Sequence, residues 1–111
     1  VAGGMDFNEY ELIFAALDKA HNKHPGMTLV HGGAPKGTDL IAAKWAAARK
    51  VAQVVFKPDW NKYGKSRAGF KRNDAMLEIL PIGVLAFPGT GITENLVDKA
   101  RGMGIPTKKY A

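Results

Sequence analysis

Three glycine-containing turns stand where short apolar runs give way to helix-like segments. They are Gly3-Gly4, Gly32-Gly33 with Gly37 inside "HGGAPKGTD" (31 to 39), and Gly89 with Gly91 inside "FPGTGIT" (87 to 93). At the start of a helix, unpaired N–H groups and the helix dipole favour an anion, and glycine lets backbone close on a phosphate. Lys36 brings a positive charge to the second turn, and Thr38 or Asp39 can cap the helix that follows. One such turn more often simply reverses the chain. Three at one predicted edge of a sheet shift the balance toward a phosphate site. Two common motifs are excluded by spacing. Gly32 and Gly37 are placed as in a Walker A loop, but the lysine precedes the second glycine, and none of these loops reads G-x-G-x-x-G.

The stretch "PDWNKYGKSRAGFKRN" (58 to 73) is the other dense one. Trp60 and Tyr63 either stack on a base, or Trp60 anchors a long loop onto the core. Lys65, Arg67, Lys71 and Arg72 can meet phosphates or remain solvated. The solvated reading is preferred for Lys65 and Lys71, and the functional one for Arg72, which with Asn73 falls at an expected helix entry near the sheet edge. The histidines form no metal site: His24 abuts Pro25 and no carboxylate pair accompanies His21. His31, before the second glycine turn, is as readily structural as catalytic. Ser66 is the only serine, and no Ser-His-Asp arrangement is evident.

The elements that position these turns alternate. Val1-Ala2 reads as the stub of a first strand that begins before Val1. Tyr10, Ile13, Phe14, Leu17 and Ala20 share a helical face. A capping box from Asp6 to Glu9, or a cap at Asn8, opens that helix, and "HPG" (24 to 26) ends it. A strand is expected over Met27 to Val30. A helix follows from Thr38 to about Lys50, with Ile41, Trp45 and Ala48 on one stripe. Val51 to Phe56 reads as a strand, Lys57 to Arg67 as a loop, and Ala68 to Leu80 as a helix with Met76, Leu77 and Leu80 in the core. Ile82 to Phe87 has the character of a central strand covered on both faces. Thr93 can cap a helix carrying Leu96, Val97 and Ala100, which Gly102 and Gly104 stop, and Ile105 to Tyr110 forms a last strand. The expected architecture is α/β: an open, mainly parallel five-stranded sheet with four helices covering both faces. In such sheets, ligands sit at the carboxyl ends of the strands.

With 111 residues the chain is expected to form one domain. It has no cysteine, which excludes disulfides and thiolate metal sites and points to a cytoplasmic location. No apolar run is long enough to span a membrane and no signal leader is expected. The net charge of +6 suits an anionic partner, whether a nucleotide, a nucleic acid or a phosphorylated metabolite.

Taken together, "GGMDF" (3 to 7), "HGGAPKGTD", "DWNKYGKSRAGFKRN" (59 to 73) with Met76, and "FPGTGIT" resemble, in the same order, the YspA-like, YpsA-related branch of the SLOG superfamily. That superfamily also contains the lonely-guy phosphoribohydrolases and DprA. The resemblance implies a single Rossmann-like domain that binds a nucleotide or nucleotide-derived ligand. By position, Gly3 and Gly4 match the first turn. Gly32, Gly33, Gly37 and Asp39 match the second, where the family usually has arginine at Lys36. Arg72, Asn73 and Met76 match an R-N-x-x-M element. Pro88, Gly89 and Thr93 match P-G-G-x-G-T, with Thr90 and Ile92 replacing two of its glycines. The phosphoribohydrolase glutamate falls at Leu96, and leucine can neither stabilise an oxocarbenium ion nor activate water.

Binding is therefore the leading expectation. Its residues are Gly3, Gly4, Gly32, Gly33, Lys36, Gly37, Thr38, Asp39, Trp60, Arg72, Asn73, Pro88, Gly89 and Thr93, with no metal and no cofactor. A nucleotide-processing hydrolase of lonely-guy type, with Asp39 or Glu94 as acid or base, is the alternative. A single-stranded nucleic-acid-binding module ranks third, on net charge and the kinship with DprA. The superfamily further implies a possible homodimer.

Overall fold

The computed structural model describes residues 1–65 and 67–110, so Ser66 falls outside the described residues. In chain order the elements begin with α1 (Tyr10–Lys23), β1 (Leu29–His31), α2 (Thr38–Arg49) and β2 (Gln53–Val55). They continue with α3 (Trp60–Tyr63), α4 (Ala68–Glu78), β3 (Val84–Ala86), α5 (Gly91–Gly102) and β4 (Thr107–Lys109). None of the described helices is long and apolar enough to cross a membrane.

The strands pair in parallel, β1 with β2 and β3 with β4, with Val30 opposite Val54 and Leu85 opposite Lys108. Parallel neighbours need a crossover, and α2 and α5 supply the two. The expected five-stranded sheet is not formed. Four strands of three residues make two separate pairs among the described residues. Val1 and Ala2 lie between the pairs. The Val1 nitrogen donates to the Val30 carbonyl at 2.9 Å, the Ala2 amide donates to Leu85 at 3.0 Å, and the Phe87 amide donates to Ala2 at 2.8 Å. Two residues give a single parallel bridge, Ala2 to Ala86, which is too short to build a ladder.

Core residues cluster on both sides of the strands. Ile13, Leu17, Leu29, Ile41, Trp45 and Phe87 pack where α1 meets α2, with Leu85 against them. Val84, one residue earlier, instead joins Leu77, Leu96, Ala100 and Ile105 under α4 and α5. Successive strand residues point to opposite faces, so the alternation at Val84 and Leu85 sets one helix pair on each face.

Several expectations are corrected. A short fifth helix, α3, interrupts the segment read as a loop, with Asp59 accepting from the Lys62 amide at 3.0 Å as its cap. Ala48 is exposed, and Ala42 and Ala46 face the core beside Ile41 and Trp45. Small residues there let α1 pack closely. Leu80 and Ile82 are 68% and 67% exposed, because the chain leaves α4 through a left-handed turn at Leu80, φ +52°. Glu9 occupies the cap position of α1 without a side-chain cap bond, so neither Asp6 nor Asn8 serves. Thr90 rather than Thr93 caps α5.

Candidate functional site

The first glycine turn is the meeting point of the other two. The Gly4 amide donates to the Pro88 carbonyl at 2.8 Å, and the Gly4 carbonyl accepts from both the amide and the hydroxyl of Thr38 at 3.2 Å. Gly37, with φ +75°, lies so close that a Cβ there would stand 2.5 Å from the Gly4 oxygen and from Met5 backbone. A side chain at Gly3 would collide with Thr38, and one at Gly89 with Thr93. The glycines thus allow turn to pack on turn. The space beside them is filled by protein atoms.

Inside the second turn, the buried Asp39 accepts from the Ala34 amide at 3.2 Å, and neither Asp39 nor Thr38 caps α2, whose cap position is Gly37. His31 is also buried. Its Nδ1 accepts from the Gly33 amide at 3.0 Å and its Nε2 faces the Gln53 side-chain oxygen at 3.0 Å. Both ring nitrogens are occupied in holding the turn, which is a structural role.

Arg72 reaches this cluster from α4. Its guanidinium lies directly on Gly32, where any Cβ would collide with it, and the same Cβ would stand 3.0 Å from the Asp39 carboxylate. Its Nε donates to the Asn73 side-chain oxygen at 3.2 Å. Among the described residues no carboxylate forms an ion pair with Arg72. Burial lowers its pKa from the ordinary value, and the nearby Asp39 charge partly offsets that. Asn73 is fully buried, and its amide donates to the Ile92 carbonyl at 2.8 Å and to the Asn95 side chain at 3.3 Å. This clamps α4, and Arg72 with it, to the first turn of α5. Pro88, Gly89, Thr90 and Gly91 remain open to solvent beside it, while Thr93 is buried behind them.

The other named residues are not drawn in. Lys36 is exposed on the rim, 3.6 Å from Asp6. Glu94 pairs with Lys109 at 3.0 Å. Leu96, at 3% exposure, is a core residue of the α4–α5 face. Trp60 is half exposed, so it does not anchor its loop on the core, and it makes no aromatic stack among the described residues. Two residues were missed. Asn95 completes the Asn73 clamp, with no pattern to betray it. Lys57 has its chain against Gly33, where a Cβ would be 3.1 Å from its Cγ, and its position just past β2 at the same sheet edge was the available signal. Lys57, Lys71 and Arg72 also line an open cleft of about 390 Å³ with Tyr63 and the carboxylates of Asp59, Asp74 and Glu78.

An α/β protein of parallel strands, with glycine turns gathered at the carboxyl ends and, among the described residues, an arginine without an ion-pair partner beside them, is the class defined by this geometry. The chain belongs to the YspA, cpYpsA-related SLOG family, whose model matches residues 1–63. That stretch holds the first two glycine turns and ends before Arg72. The chain is also similar to the Gene 61 protein of Mycobacterium phage D29, with 32% identity over 118 residues that cover 99% of this chain and 93% of that protein. No solved structure matches it significantly.

Proposed function

We propose that the protein binds a nucleotide or nucleotide-derived ligand at the carboxyl ends of its strands, with a phosphate against Arg72 and the exposed third turn. The observation that carries this reading is Arg72: a partly buried cation, without an ion-pair partner among the described residues, pressed onto Gly32. Burial of an unpaired charge costs free energy, and an anionic ligand offsets that cost. Family membership is compatible with such a ligand. The cleft beside Arg72 provides room for the part of the ligand beyond the phosphate, with Tyr63 and both signs of charge on its walls.

Binding is favoured over hydrolysis by the placement of the carboxylates. Of the positions considered for hydrolysis, Glu94 is engaged by Lys109, Leu96 is in the core and Asp39 is held by the Ala34 amide. Isothermal titration with nucleoside mono- and diphosphates and ADP-ribose tests the reading, with unphosphorylated nucleosides as controls. Arg72→Ala is expected to weaken the phosphorylated ligands by about 1.5–3 kcal/mol, as for a lost charged hydrogen bond. Absence of any affinity in the wild type, or equal affinity for the nucleosides, overturns it.

A further inference from the structure

The net charge of the chain is concentrated in one stretch. Six of its sixteen basic residues fall within residues 57–72, against one of its ten acidic ones, so the remainder of the chain is nearly neutral. The stretch follows β2 at the carboxyl ends of the strands and comprises α3, which packs beside α4, and the start of α4 itself. Among the described residues none of the six, Lys57, Lys62, Lys65, Arg67, Lys71 and Arg72, is in an ion pair. The single acidic residue, Asp59, instead accepts from the Lys62 amide at 3.0 Å.

Two aromatic rings stand among these charges. Trp60 and Tyr63 open and close α3, three positions apart and therefore neighbours on one turn. Trp60 is 50% exposed and stacks on no other ring among the described residues. The Lys62 ammonium lies 5.1 Å from the centre of the Tyr63 ring, and that of Lys71 lies 5.8 Å from it. An indole left in water offers a flat apolar face to a partner, and the cations around it favour a partner that is an anion.

We propose that α3 and the start of α4 form a surface for single-stranded nucleic acid, with phosphates on Lys62, Lys65, Arg67 and Lys71 and a base stacked on Trp60. A flexible polyanion with accessible rings matches cations interleaved with aromatic faces. A duplex keeps its bases stacked inside, which leaves Trp60 without a ring to meet. A bilayer surface calls for an apolar face opposite a basic one, whereas the rings here lie between the lysines. The surface does not depend on Arg72 holding the phosphate of a small ligand. Tyr63 and Lys71 are shared with the cleft beside Arg72, so Trp60, Lys62 and Lys65 are the positions to vary.

Fluorescence anisotropy with a labelled oligothymidylate of about fifteen nucleotides, long enough for the usual single-strand site sizes, tests this. Four phosphate contacts give a slope of about −3 in log affinity against log salt, and the double variant Lys62→Gln, Lys65→Gln should bring it to about half. Trp60→Ala should weaken binding about tenfold with the slope unchanged. All three positions are exposed, and an unchanged melting temperature verifies that each variant folds. Of the two tryptophans, Trp45 is fully buried, so quenching of indole emission by the oligonucleotide reports Trp60 without any variant. Arg72→Met should lose mononucleotides and retain the oligonucleotide, so the two readings fail separately. The proposal is overturned if the oligonucleotide does not bind at low salt, if it neither quenches Trp60 nor loses affinity in Trp60→Ala, or if a duplex of equal length binds as tightly. It is equally overturned if Trp60→Ala weakens binding of inorganic polyphosphate, which has no bases, by the same factor, or if Arg72→Met abolishes oligonucleotide binding that Trp60→Ala leaves intact. Trp60-dependent binding to phosphatidylglycerol vesicles that the oligonucleotide cannot displace also overturns it.

Discussion

The Gly4 amide donates to the Pro88 carbonyl at 2.8 Å, and a methyl group on Gly4 would stand 3.0 Å from that same oxygen. Two turns more than eighty positions apart in the chain are thus joined by backbone alone, and Gly37 closes on the next peptide, between Gly4 and Met5. Gly37→Ala should therefore destabilise the protein by at least about 2 kcal/mol, since it forces alanine into a left-handed conformation and into backbone that cannot retreat. Gly91→Ala is the control, because a Cβ there meets nothing within 4 Å, and its unfolding midpoint in urea should match or slightly exceed the wild type. Equal midpoints for both variants would show that the turns are not packed as described.

Arg72 separates stability from binding. Its partial burial without a carboxylate in ion-pair contact opposes folding and the nearby Asp39 charge offsets part of that, so Arg72→Met should unfold within about 1 kcal/mol of the wild type while losing affinity for phosphorylated ligands. Among the described residues the side-chain bond lost is that from Nε to Asn73 at 3.2 Å. A drop in stability of more than about 1 kcal/mol, the net worth of an ordinary hydrogen bond, would instead make Arg72 a structural residue.

Much of this site could be read in advance, and the parts that could not have a common physical cause. The glycine turns stood out because each sits where an apolar run ends, and Arg72 because Asn73 follows it at an expected helix entry, although α4 already begins at Ala68 and both residues lie inside it. Why the turns need glycine was invisible. The atoms that exclude a side chain at Gly3, Gly4 and Gly89 belong to Thr38, Pro88 and Thr93, which are neighbours in space through long-range folding. The same blindness explains Leu80, whose spacing from Met76 and Leu77 fits a core stripe until the backbone turns left-handed beneath it. It also explains the strands. Val51 to Phe56 has the composition of a full strand, yet pairing is confined to Gln53–Val55 at an exposed edge.

On the α1–α2 face, Asp18 holds two partners at once. It accepts from the buried indole of Trp45 at 2.8 Å and from Arg49 at 2.9 and 3.1 Å. Hydrogen bonds from Arg49 and then Trp45 lower its pKa from the ordinary carboxylate value. A folded-state pKa below the unfolded one contributes stability that is present above the unfolded value, about 3.9, and is lost as pH falls through the folded value. The stability difference between wild type and Asp18→Asn, followed by urea unfolding across pH, should thus be constant near neutrality and shrink below about pH 4. Asp18→Ala should cost about 1 kcal/mol more than Asp18→Asn, whose amide oxygen can still receive the indole N–H. A difference that persists undiminished into strong acid would remove the carboxylate from this role.

His31 offers a test of the second turn at the level of one proton. The Gly33 amide can only donate, so the Nδ1 atom it meets at 3.0 Å must carry a lone pair. The proton of the neutral ring is then on Nε2, directed at the Gln53 oxygen 3.0 Å away on β2. Nitrogen-15 NMR of the labelled protein should accordingly find the Nε2–H tautomer, with Nδ1 unprotonated and coupled to no hydrogen of its own. Gln53→Leu removes the acceptor and leaves a nearly buried N–H without a partner, at a cost of about 1–3 kcal/mol in urea unfolding, and it should loosen the Gly33 amide to hydrogen exchange. If the proton is found on Nδ1 instead, Gly33 cannot be bound as described. The turn that carries Gly32 against Arg72 would then have a different shape, and the anion site built on that contact would have to be redrawn.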